Sequence, residues 1–161
     1  MIKKFNILFV TFLKIGKINF APGTIASLIT CLLFLLLLNI FSIVILFFLT
    51  LSIALYSIIA INNSFDSFNS SDPQEIVIDE VVGQMLPLLA IPIYETLYLA
   101  PKEYYCVAAF LLFRLFDIWK PYPINYIDKN TVGAQGIMLD DVLAGIFTIV
   151  MIILICFFLS A

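Results

Sequence analysis

Two short stretches of this chain carry paired acids in nearly the same setting, Ile76-Val77-Ile78-Asp79-Glu80-Val81-Val82-Gly83 and Ile137-Met138-Leu139-Asp140-Asp141-Val142-Leu143-Ala144. Each reads as apolar residues, two acids, two aliphatics and a small residue, the pattern of a helix that begins near its acids. A single acidic pair at a helix start has a plain explanation, because it complements the helix dipole and caps free amides. Capping does not require two acids twice, whereas carboxylate and water oxygens are the ligands that Mg²⁺ prefers. Gly83 and Ala144 lie one turn beyond Glu80 and Asp141, so the two helices can pack closely there and gather Asp79, Glu80, Asp140 and Asp141 into one metal site.

A third constellation is Phe113-Arg114-Leu115-Phe116-Asp117-Ile118-Trp119-Lys120-Pro121-Tyr122-Pro123. Arg114, Asp117 and Lys120 follow a spacing that puts them on one helical stripe. The bland reading is a snorkelling ion pair; the functional one is Arg114 and Lys120 holding a phosphate while Asp117 orients Arg114 or binds metal. A fourth is Gly16-Lys17-Ile18-Asn19-Phe20-Ala21-Pro22-Gly23-Thr24, a loop entering a helix. It lacks the Gly-Lys-Ser/Thr ending of a Walker P-loop, yet free amides and Thr24 at a helix start can hold an anion. Asp128 is a candidate ligand in the loop before the last helix, where Gly133 and Gly136 read as turn residues.

Inventory removes competing chemistries. The chain has no histidine, which excludes Ser-His-Asp triads, histidine-ligated zinc and phosphohistidine intermediates. Cys106 and Arg114 are eight positions apart, so a Cys-x5-Arg phosphatase loop is absent, as is an Asp-x-Asp motif. Cys31, Cys106 and Cys156 fall in apolar runs and read as small buried hydrophobes. A net charge of −3 argues against nucleic acid, whose phosphates need clustered cations.

The elements that must position these residues are apolar helices. Of the 161 residues 63% are hydrophobic, only 19 are charged, and residues 18–65 carry no charge at all; the mean hydropathy is +1.15. A bilayer core of about 30 Å needs roughly 20 helical residues, and residues 25–61 would make one helix of roughly 55 Å. A hairpin at Asn39 divides them into helices at residues 25–38 and 41–61. Further helices are expected at about residues 81–99, kinked at Pro87 and Pro92, at 103–119 and at 139–158. The start, with Lys3 and Lys4 before an apolar run, resembles a signal peptide, but Asn6 interrupts the run and no cleavage site follows, so it is expected to stay as an amphipathic lead-in. The fold class is therefore all-α, a polytopic membrane bundle of about five helices in a single domain over residues 1–161. Seven of the eight basic residues fall on one side if the N-terminus is cytoplasmic, with only Lys102 outside. That topology places every polar island on the cytoplasmic face.

Taken in order, Ala21-Pro22-Gly23-Thr24, Asp72-Pro73 with Ile76 to Gly83, Phe113 to Ile124 and Gly136 to Gly145, the chain resembles the phosphatidylglycerophosphatase A family over nearly its whole length. The resemblance implies a multi-pass bacterial inner-membrane enzyme, Mg²⁺-dependent, that removes the terminal phosphate of phosphatidylglycerophosphate to leave phosphatidylglycerol. The family's acidic motif positions match at Asp79, Glu80, Asp117, Asp140 and Asp141, and its basic ones at Arg114 and Lys120. The glycine-rich approach to the first motif is reduced here to Gly16-Lys17-Ile18-Asn19-Phe20. The expected catalytic acids are those five, with phosphate held by Arg114, Lys120 and Thr24 and metal by Asp79, Glu80, Asp140 and Asp141. Expected partners are the lipid substrate and membrane lipids. The rival reading is a small ion or metal transporter, since acids in helical bundles also mark ion pathways; transporter acids tend to lie at mid-membrane, whereas these are expected at helix starts.

Overall fold

The computed structural model describes residues 2–68, 73–98 and 101–160; within them there are eight α-helices and no strand. They are α1 (Ile2–Val10), α2 (Pro22–Leu38), α3 (Ile43–Ser64), α4 (Ile78–Leu88), α5 (Ile91–Tyr98), α6 (Lys102–Trp119), α7 (Ile124–Asn130) and α8 (Gly133–Ser160). The all-helical class is as expected; the count of about five is not. Asp72 of the second motif and residue 99, the expected end of the third helix, lie outside the described residues.

The centre is α4, which packs against α2, α3, α6 and α8. Ile78, Val81, Val82, Met85 and Leu88 form an apolar face at most 4% exposed, and Gly83, Gln84 and Pro87 are buried as well, so this short helix is enclosed on most sides by its neighbours. Two close approaches seat it on α8. A Cβ on Gly83 would stand 2.7 Å from both the Asp141 carbonyl oxygen and the Phe113 ring, and one on Gly145 would stand 2.5 Å from the Gly83 carbonyl. The backbone contact expected of Gly83 and Ala144 is therefore made by Gly83 and Gly145. Ala144 turns instead into a small cluster with Phe113, Phe116 and Ile124.

The outward faces of α3 and α8 are apolar and largely exposed. The segment Ile43–Ser67 and the helix Gly133–Phe158 are long and apolar enough to cross a membrane, with only 22% and 28% of their most apolar windows buried inside the molecule. On α3 alone Val44, Ile45, Phe47, Phe48, Leu55 and Ile59 are more than half exposed. Each such side chain forgoes about 1.5–3 kcal/mol if left in water, a penalty that a hydrocarbon solvent removes.

Several boundaries differ from the sequence reading. The expected kinked helix at 81–99 is two helices broken at Leu89 and Ala90, whose amides bond back to Met85, Leu86 and Pro87 carbonyls. Pro92 falls in the first turn of α5, where a missing N–H costs nothing. The last helix begins at Gly133 rather than near Leu139, because Gly133 enters it through a left-handed φ of 74° and Gly136 lies inside the helix. A side chain at Gly136 would strike the Thr131 carbonyl, so that glycine serves packing, not a turn. The lead-in is helix α1; its Asn6 is 1% exposed and accepts a 2.8 Å hydrogen bond from the Tyr56 hydroxyl of α3. Cys31 and Cys106 are buried and Cys156 half-buried, all unbridged.

Candidate active site

The ends of α2, α4, α6 and the early turns of α8 converge on a cavity of about 750 Å³. Pro22, Gly23 and Thr24, Phe65 beyond α3, Asp79 and Glu80, Arg114 and Asp117, and Asp140 and Asp141 all line it. Helices α2, α4 and α8 therefore run away from the cavity while α3 and α6 run towards it. At the far end Lys102, first in α6, donates a 2.5 Å hydrogen bond to Asn39 beyond α2.

Local structure explains how each acid gets there. Residues Ile76, Val77 and Ile78 are 1–4% exposed, and the Val77 amide bonds the Val10 carbonyl at 3.0 Å. This apolar anchor clamps the start of α4 to the end of α1 and leaves Asp79 and Glu80 on the first turn facing the cavity. On α8 the close approach of Gly83 draws Asp141 towards them. One carboxylate oxygen each from Asp79, Glu80 and Asp141 lies within 4.8 Å of the others. Asp79 Oδ1 and Glu80 Oε2 are buried with no hydrogen-bond partner. Oxygens so placed, with unfilled lone pairs and mutual repulsion, fit a hard divalent cation.

Asp140 lines the same cavity but is held by a different partner. Its Oδ2 accepts a 2.6 Å hydrogen bond from Lys120 Nζ, which also donates to Asp128 Oδ1 at 2.5 Å. Among the described residues Asp140 is not part of the three-carboxylate group, although its Oδ1 is buried without a hydrogen bond. Lys120 likewise leaves the expected stripe. Helix α6 ends at Trp119, and Lys120 caps it in the left-handed region with φ 46°, a conformation that costs a non-glycine residue about 1 kcal/mol. That bend carries its ammonium between α7 and α8. Partial burial opposes the charge, but the hydrogen bonds and charges of Asp128 and Asp140 outweigh burial and hold Lys120 above the usual lysine range.

Arg114 and Asp117 keep their expected spacing and form a 2.5 Å ion pair, with Glu80 Oε1 3.9 Å from Arg114 Nη1. Arg114 Nε has no hydrogen-bond partner, leaving donor capacity at the cavity wall. Thr24 is the third residue of α2, after a proline at the first position and a helix start with no side-chain cap. Its amide and that of Gly23 are among those a helix start leaves free.

Six carboxylates and two cations thus surround one cavity, Asp79, Glu80, Asp117, Asp128, Asp140 and Asp141 against Arg114 and Lys120. The imbalance favours added positive charge. Asp128, the candidate ligand before the last helix, pairs with Lys120; its place on the short helix α7 is set by Ile124, which is fully buried. Outside the cavity lining, Gln84, one turn beyond Glu80, is fully buried with both amide atoms unpartnered.

Comparison with known proteins gives this geometry a lineage. Residues 8–156 match the family model described as Phosphatidylglycerophosphatase A. A Bacteroides thetaiotaomicron protein that carries the provisional name phosphatidylinositol-3-phosphatase is 36% identical over 140 residues, covering 85% of this chain and 84% of its own. A phosphatidylglycerophosphatase A of Haemophilus influenzae is 36% identical over 137 residues, covering 85% and 80%. One of Escherichia coli is 39% identical over 77 residues, covering 48% of this chain and 41% of its own. No solved structure matches the chain. The chain is a member of the phosphatidylglycerophosphatase A family.

Proposed function

We propose that this protein is a phosphatidylglycerophosphatase, a membrane-embedded phosphoric monoester hydrolase that cleaves the terminal phosphate of phosphatidylglycerophosphate to give phosphatidylglycerol. The observation that carries the reading is the gathering of Asp79, Glu80 and Asp141 beside Arg114 in one cavity at the end of an apolar bundle. A lipid phosphomonoester sits at headgroup level, where a polar cavity at a bundle end meets it. Family membership supports the same substrate.

The metal in this reading is Mg²⁺. Asp79, Glu80 and Asp141 would hold it, with Asp140 one residue away as a further acid of the site. When bound it supplies Lewis acidity, offsetting phosphoryl charge and making water a better nucleophile. The chain's own groups do the rest. Arg114, oriented by Asp117, offers its guanidinium to phosphate oxygens, and the amides of Gly23 and Thr24 with the Thr24 hydroxyl add neutral donors. Lys120 contributes positive charge while holding Asp140 and Asp128. Hydrolysis breaks the bond from phosphorus to the glycerol oxygen, adds the water oxygen to phosphorus and returns a proton to the departing alcohol.

Orientation is part of the proposal. Lys14, Lys17, Lys120 and Lys129 flank the cavity side, and Lys102 lies opposite, so the positive-inside rule puts the cavity in the cytoplasm of a bacterial inner membrane with several spans. Cysteines placed at 102 and 129 and probed with an impermeant reagent should label from outside only at 102; the reverse pattern would invert the topology.

Phosphate release from phosphatidylglycerophosphate by the purified protein in detergent tests the activity. Release should require Mg²⁺, stop with excess chelator and vanish in Asp141→Ala. Release only from phosphatidylinositol 3-phosphate would move the substrate to the one named for the Bacteroides relative. No release from either lipid by intact protein would favour the ion-transport reading.

A further inference from the structure

Gly23 is the second residue of α2, and the space where a side chain would start is already filled. A Cβ there would overlap the Glu80 carboxyl group, with Cδ only 2.7 Å away, and would stand 3.4 Å from Arg114 Nη1. Its backbone is in no left-handed conformation that would itself require glycine. Helix propensity does not ask for glycine either, since it is less favourable there than alanine. What the position needs is room for a carboxylate. The carboxylate oxygen that faces Gly23 is Oε1, with Arg114 Nη1 3.9 Å from it, and Oε2 has no hydrogen bond to hold it, so beside that long ion pair packing against bare backbone sets where the carboxylate can sit.

We propose that Gly23 is a positioning residue for the cation site: its bare backbone walls the slot that seats the Glu80 carboxylate beside Asp79 and Asp141, and any side chain there pushes Glu80 out of the cluster and weakens divalent-cation binding. The inference rests on the reading of that cluster as a cation site. It gives the Ala21-Pro22-Gly23-Thr24 motif a second task besides offering amides to phosphate. Proline at the preceding position pre-sets the helix start, which holds the glycine in place against α4.

Two measurements on the full chain in detergent test it, each on wild type, Gly23→Ala, Glu80→Ala and the double variant. In calorimetric titration with Mn²⁺ alone, Gly23→Ala should bind about tenfold more weakly than wild type, the size expected when a support of a metal ligand is disturbed. In thermal melts without metal, Gly23→Ala should lower the melting temperature when Glu80 is present and leave it unchanged when Glu80 is alanine, because the truncated side chain vacates the slot. If Gly23→Ala fails to fold but the double variant folds, the slot is equally supported. Unchanged Mn²⁺ affinity in Gly23→Ala, or the same melting loss in both Glu80 backgrounds, would overturn the inference alone. Wild-type protein that binds no Mn²⁺ would overturn the cation-site reading and the inference with it.

Discussion

The two acidic segments look interchangeable as strings of residues and behave differently in the folded chain. Asp79 and Glu80 open a short helix whose start is clamped by Ile76, Val77 and Ile78, and both reach the three-carboxylate cluster. Asp140 and Asp141 lie two turns inside α8 and divide, Asp141 joining that cluster and Asp140 bonding Lys120. Neighbouring helix residues point about 100° apart. In the first pair the longer Glu80 side chain brings its carboxylate beside that of Asp79, while in the second Lys120 holds the Asp140 carboxylate. The repeat is therefore one of composition, and the division of roles comes from side-chain length and from what packs beside each helix.

That contrast predicts a hierarchy. The largest effect is expected at Asp141. Asp141→Asn should reduce turnover by about 10³-fold or more, against roughly 10- to 100-fold for Asp140→Asn, which acts through Lys120. Phosphate-release kinetics on the two variants decide it, and equal losses would restore the equivalence of the two acids. Next come the small residues. Gly83→Ala forces a Cβ against the Asp141 carbonyl and the Phe113 ring and should cost about 1–3 kcal/mol in stability, whereas Ala144→Gly should cost only about 0.5–1 kcal/mol. Thermal or denaturant melts in detergent compare them, and the opposite ranking would mean that Ala144 makes the crossing.

Arg114→Lys keeps charge but loses the planar fork, so substrate affinity should fall about tenfold, the worth of one charge-assisted hydrogen bond. A KM that does not move would make Arg114 a structural partner of Asp117. Asp128→Asn should have the smallest effect, about two- to threefold on activity, because that carboxylate side chain is 36% exposed and such pairs contribute little. A loss matching that of Asp140→Asn would place Asp128 in the chemistry itself.

Much of this was legible beforehand. The charge-free run and its polar break at Asn39 mark α2 and α3 because apolar length and a turn-forming residue are local properties. The Arg114-Asp117 pair was legible for the same reason, since helical spacing alone makes three-apart residues neighbours. Lys120 was not, because its left-handed cap depends on where α7 and α8 wait to receive the ammonium. Gly136 reads as a turn residue in the sequence, because only the Thr131 carbonyl, placed by the loop before α8, reveals that it serves packing. The break between α4 and α5 falls between two prolines that marked the region but not the residue, since either could have been absorbed as a kink.

By itself the sequence determined the inventory: an all-helical, largely apolar chain without histidine, whose chemistry must rest on carboxylates, one arginine and lysines. It also determined that the acids come in pairs at the polar breaks between apolar runs. Only the tertiary structure decided which carboxylates share a site. Helical periodicity turns adjacent acids towards different neighbours, and the crossing of α4 on α8 at Gly83 and Gly145 selects Asp141 for the cluster and leaves Asp140 to Lys120.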